Sequence, residues 1–313
     1  MLKWIDCNPG KLGSNKKKSI LLSLMLFISI TLCAEDGNAL WLRGKFVPSK
    51  DLVVKIEGAG HDATLDIARK ELSMMGWDGE VVLRRKKGVA PKDAYSIARN
   101  TGERTVIQST SSVGILYAVY DLLRRKQLGE TLRTINIRES SSYNRRILDH
   151  WDNLDGTIER GYAGYSLWKW DELPGKISLR YAQYARACAS VGINGSVLNN
   201  VNAAPEMLDG KYLKKVKVLA DVFRPYGIKV YLSVNFASPK ELGGLSSADP
   251  LDKNVIRWWR DKVKEIYQLI PDFGGFLVKA NSEGKPGPCD YGRTHADGAN
   301  MLADVLRPYH GIV

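Results

Sequence analysis

The chain has 313 residues and a formal net charge of +12 at pH 7. Hydrophobic residues make up 44% and charged residues 26%, which excludes a disordered or fibrous chain and is typical of globular domains. The length is sufficient for two domains of ordinary size. A net positive charge can favour binding to nucleic acid, to a membrane or to an acidic ligand. We predict no nucleic-acid partner, because the sequence has no cluster of Lys and Arg interleaved with aromatic residues.

Residues 1–34 have the pattern of an export signal. Three lysines at 16–18 precede an uncharged apolar run at 19–32, and Ala34 supplies a small residue at a suitable cleavage point. A permanent membrane anchor needs roughly 20 apolar residues and is the less favoured interpretation. Lipid attachment at Cys33 is a third interpretation of this segment. We therefore expect an exported protein, periplasmic or extracellular, with a cleaved signal peptide.

Two of the four cysteines lie in this leader, which leaves Cys188 and Cys289. Two cysteines make no disulfide framework, and no Cys-x-x-Cys spacing indicates a metal. The acidic residues at 152–159 lack the spacing of a calcium loop. Thr294 and Asp297 suit the start of a helix better than a metal pair with His295. We predict no metal and no cofactor.

Residues 35–142 are predicted to form a small α/β sandwich domain. Short apolar runs bounded by Gly, Pro and Asn indicate strands, and apolar residues at helical spacing indicate two helices. The predicted strands cover 52–57, 80–85, 94–99, 104–108 and 133–138, and the predicted helices cover 64–75 and 113–126. This domain carries no obvious chemistry.

From residue 143 onward, strands and helices alternate regularly. Strands are predicted at 146–151, 193–199, 228–235 and 275–281, and helices at 178–190, 211–223, 253–269 and 296–306. Such alternation implies a parallel sheet with right-handed crossovers. We therefore expect residues 143–313 to form the first four βα units of a TIM (β/α)₈ barrel, which is incomplete because it requires eight.

A short internal repeat supports this architecture. The segment Arg-Pro-Tyr-Gly-Ile at 224–228 ends one helix and begins the next strand, and Arg-Pro-Tyr-His-Gly-Ile at 307–312 has the same form. Residues 312–313 are therefore predicted to begin a fifth strand.

All four predicted barrel strands end in polar residues, and barrel enzymes carry their reactive groups at those ends. The strand ends hold His150, Trp151, Asp152 and Asn153; Asn199 and Asn200; Asn235; and Asn281, Ser282 and Glu283. Amides and aromatic rings around a carboxyl group suit a sugar site. Glu283 is the candidate general acid of a glycoside hydrolysis, with a solvated loop glutamate as the alternative. His150 and Asp152 are candidate acid/base groups or hydrogen-bonded residues at the barrel mouth.

Lys279 strengthens the case for an acidic ligand. It lies in the middle of an apolar strand and shares a face with Leu277 and Asn281. A buried ammonium group is costly without an anionic partner. That partner is either Glu283, in a structural ion pair, or the carboxylate of a bound uronic acid.

Two long strings with unusual composition resemble the α-glucuronidases of glycoside hydrolase family 67. The first is RILDHWDNLDG at 146–156, continued by IERGYAG at 158–164. The second is GFLVKANSEG at 275–284, followed by PGP at 286–288 and DYGRTHADGAN at 290–300. The resemblance implies an α/β N-terminal domain, a central (β/α)₈ barrel and a C-terminal helical domain that can form a homodimer.

The resemblance also implies the reaction: inverting hydrolysis of the α-1,2 bond between glucuronic or 4-O-methylglucuronic acid and the terminal xylose of glucuronoxylan-derived oligosaccharides. Glu283 falls on the family's general acid, Lys279 and Trp151 fall on residues of the uronic acid pocket, and Val201 falls near it. The base carboxylates and a uronate-binding arginine lie on later strands, so this chain alone is expected to be inactive. The further predicted substrate-binding residues are His150, Asp152, Asn199, Asn200, Asn281 and Arg293.

Two other functions are compatible with the residues. One is a barrel glycosidase that acts on a different acidic or neutral glycan, which a substrate panel would separate from the first. The other is a non-catalytic, carbohydrate-binding remnant, which follows from the predicted incomplete barrel.

Overall fold

The computed structural model describes residues 37–313 except 38, 45, 59, 61, 89, 90, 92, 102, 103, 282 and 283. The predicted export signal at 1–34 lies outside the described residues, and so does Glu283. The described chain is a mixed α/β protein with one five-stranded and one four-stranded sheet. Leu40–Val313 form one compact unit. Among the described helices, none combines the length and the apolar character needed to cross a bilayer.

The first sheet is built from β1 (Val53–Glu57), β2 (Glu80–Arg85), β3 (Tyr95–Arg99), β4 (Thr105–Ser109) and β5 (Ile135–Glu139), in the order β1-β2-β4-β3-β5. The strands β1, β2 and β4 are parallel, and β3 lies antiparallel between β4 and β5. Two helices, α1 (Ala63–Met74) and α2 (Ser112–Gln127), pack against each other. All seven elements match the predicted ones to within two residues.

Both helices of this layer begin at side chains that cap their first turn. The Asp62 carboxylate accepts a hydrogen bond from the Leu65 amide, and the Ser111 hydroxyl accepts one from the Gly114 amide. Such caps satisfy backbone donors that have no partner inside the helix. An apolar stripe of each helix, which includes Leu72 of α1 and Leu122 of α2, is fully buried in one core cluster.

The second sheet is entirely parallel and has the order β6-β7-β8-β9. Its strands are β6 (Ile147–Asp149), β7 (Gly195–Val197), β8 (Lys229–Asn235) and β9 (Gly275–Lys279). The helices are α3 (Leu179–Ser190), α4 (Gly210–Phe223), the short α5 (Ser238–Glu241), α6 (Lys253–Leu269) and α7 (His295–Leu306). The sequence missed α5, and it predicted β6, β7 and β9 about two residues too long at their C-terminal ends, since those residues leave the ladder to enter loops.

The two faces of this sheet differ in chemistry, as strand β8 illustrates. Val230, Leu232 and Val234 are buried in a core cluster with residues of the helices, including Trp259 of α6. Tyr231, Ser233 and Asn235 alternate with them and therefore face the opposite side of the sheet. We call that side the inner face.

The Arg-Pro-Tyr repeat has the structure that its sequence predicts. Each copy forms a 3₁₀ turn, at Arg224–Tyr226 and at Arg307–Tyr309, and each ends at a residue in the left-handed conformation. After the second copy, the Ile312 amide donates to the Gly274 carbonyl (3.1 Å) and the Phe276 amide donates to the Ile312 carbonyl (2.9 Å). Ile312 thus forms a parallel bridge with β9 at Gly275, where a fifth strand was predicted to begin.

Candidate active site

Polar side chains collect at the C-terminal edge of the parallel sheet. Because the strands are parallel, their carboxyl ends share one edge, and each brings its next loop to it. On the inner face this edge holds Trp151, Asn235 and Lys279, and the loop after β7 adds Asn202. We call these four residues the strand-end site.

Lys279 is the cation of the strand-end site. It ends β9, pairs in register with Asn235 of β8, and is half-buried. Its ammonium group donates a hydrogen bond to the Asn202 side-chain oxygen. An amide oxygen can orient an ammonium group without neutralising it.

Trp151 gives the site an exposed aromatic ring, and its indole is hydrogen-bonded to a carboxylate. The side chain is 44% exposed, and its Nε1 donates to Asp149 Oδ2 at 3.3 Å. Asp149 precedes it by two residues and therefore lies on the same face. Partial burial raises the pKa of Asp149, although the indole hydrogen bond and the nearby His150 act in the opposite direction.

His150 and Asp152 belong to a hydrogen-bonded chain that runs toward helix α3. His150 Nε2 lies 2.7 Å from the Tyr184 hydroxyl, which lies 3.1 Å from Ser196 Oγ. His150 Nδ1 lies 3.4 Å from Asp152 Oδ2. The two contacts together engage both ring nitrogens, and they lie away from the inner face.

Asp152 is 3% exposed and accepts hydrogen bonds from the Ser166 hydroxyl and the Leu167 amide. Burial alone would raise its pKa, but the hydrogen bonds from His150, Ser166 and Leu167 outweigh burial and hold the pKa below its usual range. This arrangement anchors the loop after β6. A substrate contact for His150 or Asp152 stays a prediction.

The asparagines after β7 are engaged within the protein. The Asn199 amide donates to the Ser233 carbonyl (3.0 Å) and accepts from the Ser233 amide (2.8 Å), so it continues the ladder to β8. Asn200 donates to Asn153 Oδ1 and to the Glu159 carbonyl, at 2.9 and 3.2 Å. Both residues are at most 3% exposed. Their geometry supports a role in shaping the loops, and substrate binding by either stays a prediction.

The remaining predicted residues lie along the loops after β7 and β9. Val201 is half-buried beside Asn202. Asn281 is exposed, and its amide donates to Asp290 Oδ2 at 2.5 Å. The Arg293 guanidinium forms a two-pronged ion pair with Asp249, at 3.0 and 2.9 Å. Glu283 lies outside the described residues, so its predicted role as the acid stays a prediction.

The sequence reasoning missed Asp149 and Asn202. Asp149 has the inner-face parity of Trp151, so strand alternation could have found it. Asn202 lies in a loop, where no periodicity indicates which side chain reaches Lys279. The structure also gives no metal cluster: no three His, Cys, Asp or Glu side chains among the described residues converge on one point.

Comparison with known proteins places this chain among glycosidases. The glycosyl hydrolase family 67 middle domain matches residues 125–313. The probable alpha-glucuronidase A of Aspergillus fumigatus is 47% identical over 208 residues, which cover 66% of this chain and 25% of that protein. The alpha-glucuronidase of Hypocrea jecorina is 37% identical over 340 aligned positions, 94% of this chain and 40% of that protein.

The chain thus spans about a quarter to two fifths of the length of these relatives. Among solved structures, a family 138 glycoside hydrolase that targets the pectin rhamnogalacturonan II superposes with a TM-score of 0.55 at 17% identity, covering 82% of this chain and 37% of that one. That likeness concerns the fold. Because the family match covers more than half of the sequence, the chain belongs to glycosyl hydrolase family 67.

Proposed function

We propose that the protein containing this chain is an α-glucuronidase of xylan degradation. It hydrolyses the α-1,2 bond between glucuronic or 4-O-methylglucuronic acid and the terminal xylose of xylo-oligosaccharides. The observation that carries the proposal is Lys279, a half-buried ammonium group at the C-terminal edge of a parallel sheet, inside the region that matches family 67. A cation at this edge of the sheet suits a ligand with its own carboxylate.

In this proposal the strand-end site binds the uronic acid. Lys279 pairs with the sugar carboxylate, and the half-exposed Trp151 ring packs against an apolar face of the sugar. Glu283, four residues after Lys279, protonates the departing xylose oxygen. Inversion requires a second carboxylate roughly 6.5–9.5 Å from the acid, with a water between them. That base is expected on a later strand, by the resemblance to the family.

We further propose that the four-stranded parallel sheet is the first half of a (β/α)₈ barrel over 143–313, preceded by an α/β domain over 35–142. Ile312 supports this architecture, since it already bridges β9 on the side where the next strand belongs. The placement of polar residues at the C-terminal strand ends agrees with where such barrels carry their sites. Export through the signal at 1–34 and a homodimer formed by a later helical domain complete the proposal.

The test is uronic acid release by the full-length protein from xylo-oligosaccharides that carry a terminal 4-O-methylglucuronic acid. We expect release, with the β-anomer as the first product seen by proton NMR, because inversion converts the α-linkage. Glu283→Ala should lower kcat by at least 100-fold, as expected for loss of general acid catalysis. Glu206→Gln, which changes an exposed carboxylate in the loop after β7, is the matched control.

Three outcomes would contradict the proposal. The first is no release from any uronated xylo-oligosaccharide, which would favour a binding protein. The second is an unchanged kcat for Glu283→Ala. The third is equal turnover of a substrate whose uronic acid is replaced by glucose, because Lys279 would then have no carboxylate to recognise, and a different barrel glycosidase would be favoured.

A further inference from the structure

Glu159 lies in the loop between β6 and α3, directly against the strand-end site. Its amide donates to the Trp151 carbonyl at 2.9 Å. Its own carbonyl accepts from the side-chain amides of Asn153 and Asn200, at 2.7 and 3.2 Å. Three hydrogen bonds with residues that follow β6 and β7, one donated by Glu159 and two accepted by it, therefore fix the backbone of Glu159.

The backbone of Glu159 has a conformation that glutamate rarely adopts. Its φ is +55°, in the left-handed region where a Cβ atom clashes with the following carbonyl. The neighbouring Gly156, Gly161 and Gly164 adopt positive φ without this cost. A glycine would suit position 159 equally well for the backbone. A side chain is therefore held here against its conformational preference, which points to a use for that side chain.

The carboxylate of Glu159 is buried and only half satisfied. The side chain is 13% exposed. Its Oε1 lies 3.5 Å from Nε of Arg160, a side chain that is 63% exposed. Its Oε2 is shielded from solvent and has no hydrogen-bond partner among the described residues. A buried carboxylate oxygen that accepts no hydrogen bond is costly, and native proteins satisfy nearly all such atoms.

We propose that Glu159 is a further substrate-binding residue, whose Oε2 accepts a hydrogen bond from a hydroxyl of the sugar bound beside Trp151. The inference rests on the proposed function. A sugar hydroxyl is the matching donor, because it is neutral and adds no charge to a position that is shielded from solvent. Lys279 and Glu159 thereby recognise different groups of the sugar. The Lys279 ammonium group binds the uronate carboxylate, and the Glu159 carboxylate binds a hydroxyl.

The test separates this role from a purely structural one by replacing Glu159 in the full-length protein with glycine and with glutamine. Glu159→Gly removes the carboxylate and also relieves the backbone, whereas Glu159→Gln keeps the volume of the side chain and removes its charge. We expect KM for uronated xylo-oligosaccharides to rise roughly tenfold or more in Glu159→Gly, as for loss of a hydrogen bond to a charged group, with kcat changed less. Tm should stay level or rise.

His310→Gly is the matched control. His310 also has a positive φ, +59°, but it lies at the opposite end of the parallel sheet, at the start of the segment that bridges β9. Glycine there relieves the same kind of strain without removing a carboxylate. We expect its Tm to rise and its KM to equal that of the wild type.

An unchanged KM in Glu159→Gly would overturn the inference, since the carboxylate would then be only a strained part of the loop. If Glu159→Gly fails to fold, Glu159→Gln decides: a raised KM supports the inference and a wild-type KM overturns it. Failure of the proposed function is recognised separately, because the wild-type protein itself would then release no uronic acid.

Discussion

Arg186 of α3 forms a two-pronged ion pair with Glu71 of α1, with Nε–Oε1 and Nη2–Oε2 distances of 2.6 and 2.8 Å. The two residues are 115 positions apart, and each belongs to a helix that packs on a different sheet. Glu71 is 2% exposed and also accepts a hydrogen bond from the Tyr120 hydroxyl at 3.2 Å. The ion pair therefore joins the two layers of the chain through a buried contact.

Loss of one partner of this pair should be costly, because it leaves a partly buried charge uncompensated. We predict that Glu71→Leu lowers the free energy of unfolding by about 3 kcal/mol. The measurement is urea unfolding of the full-length protein followed by tryptophan fluorescence. The double variant Glu71→Leu/Arg186→Met should recover most of this loss, since no buried charge then remains. Equal losses in the single and double variants would contradict this interpretation.

The buried carboxylate of Asp152 predicts a dependence of stability on acid pH. Its pKa in the folded protein is lowered from its ordinary value of 3.8, because the hydrogen bonds from His150, Ser166 and Leu167 outweigh its burial. A lowered pKa means that the carboxylate stabilises the fold above about pH 4, and that this stabilisation is lost as the pH falls through the lower, folded value. Stability therefore rises with pH across that window.

We predict that Asp152→Asn lowers stability at pH 7 by about 1–3 kcal/mol, because hydrogen bonds to a charged acceptor are replaced by weaker ones. The difference from the wild type should shrink as the pH falls from 5 toward 3. Thermal unfolding at a series of pH values measures this. Asp304→Asn, an exposed carboxylate on α7, is the control for a general charge effect. A difference between wild type and Asp152→Asn that is independent of pH would exclude the proposed cause.

The Arg-Pro-Tyr repeat provides a matched pair of backbone positions. Gly227 ends the first copy at φ +75° and His310 ends the second at φ +59°, so both are left-handed. Only glycine adopts this conformation without a steric cost. We predict that His310→Gly stabilises the protein by about 0.5–1 kcal/mol, which is the strain relieved less the added freedom of the unfolded chain. Differential scanning calorimetry measures the shift in Tm.

The reverse change tests the same reasoning. A Cβ atom at Gly227 would lie 2.7 Å from the side-chain methyl carbons of Val113, in addition to the unfavourable φ. Gly227→Ala should therefore destabilise the protein by about 2 kcal/mol. A loss of stability in His310→Gly would show that the imidazole makes a contribution larger than the strain.

The sequence predicted this fold well where hydrophobic periodicity and Gly, Pro or Asn residues marked the helices and strands. Helix α6 was predicted at its observed bounds because its apolar residues recur at helical spacing. The structure adds that Asp252 caps its first turn. Ile312 was predicted from a repeat, and it forms the expected bridge. The strand ends were less predictable. Trp151 continues an apolar run, yet it leaves the ladder because Glu159 of the following loop donates to its backbone carbonyl. At Asn199 the side-chain amide, rather than the backbone, bonds to Ser233 of β8.

The candidate site was predictable in its place but not in its contacts. Parallel strands bring their C-terminal ends together, so Trp151 and Lys279 could be assigned to one edge from sequence alone. The partner of a side chain is set by distances between loops, which no local pattern encodes. Arg293 illustrates this point, since its ion pair with Asp249 spans 44 positions. The same holds for the contact between Lys279 and Asn202, which spans 77.

The contact between Lys279 and Asn202 allows the charge of the strand-end site to be changed without changing its shape. Asn202→Asp replaces the amide by a carboxylate of nearly equal size at the oxygen that accepts from Lys279. The new carboxylate should pair with the ammonium group and compete with the uronate of the substrate. We predict that KM for uronated xylo-oligosaccharides and the Kd for free glucuronic acid rise at least tenfold, which corresponds to about 1.4 kcal/mol. Isothermal titration calorimetry of the full-length protein measures the Kd.

Asn136→Asp, on an exposed position of β5 in the other sheet, adds the same negative charge away from the site and is the control. Added salt should weaken glucuronic acid binding by the wild type more than binding by Asn202→Asp. Salt screens the ion pair between Lys279 and the uronate, and in the variant the new carboxylate already offsets the charge of Lys279. If Asn202→Asp binds glucuronic acid as tightly as the wild type, Lys279 does not recognise the uronate. Lys279 would then stabilise β9 rather than bind the substrate.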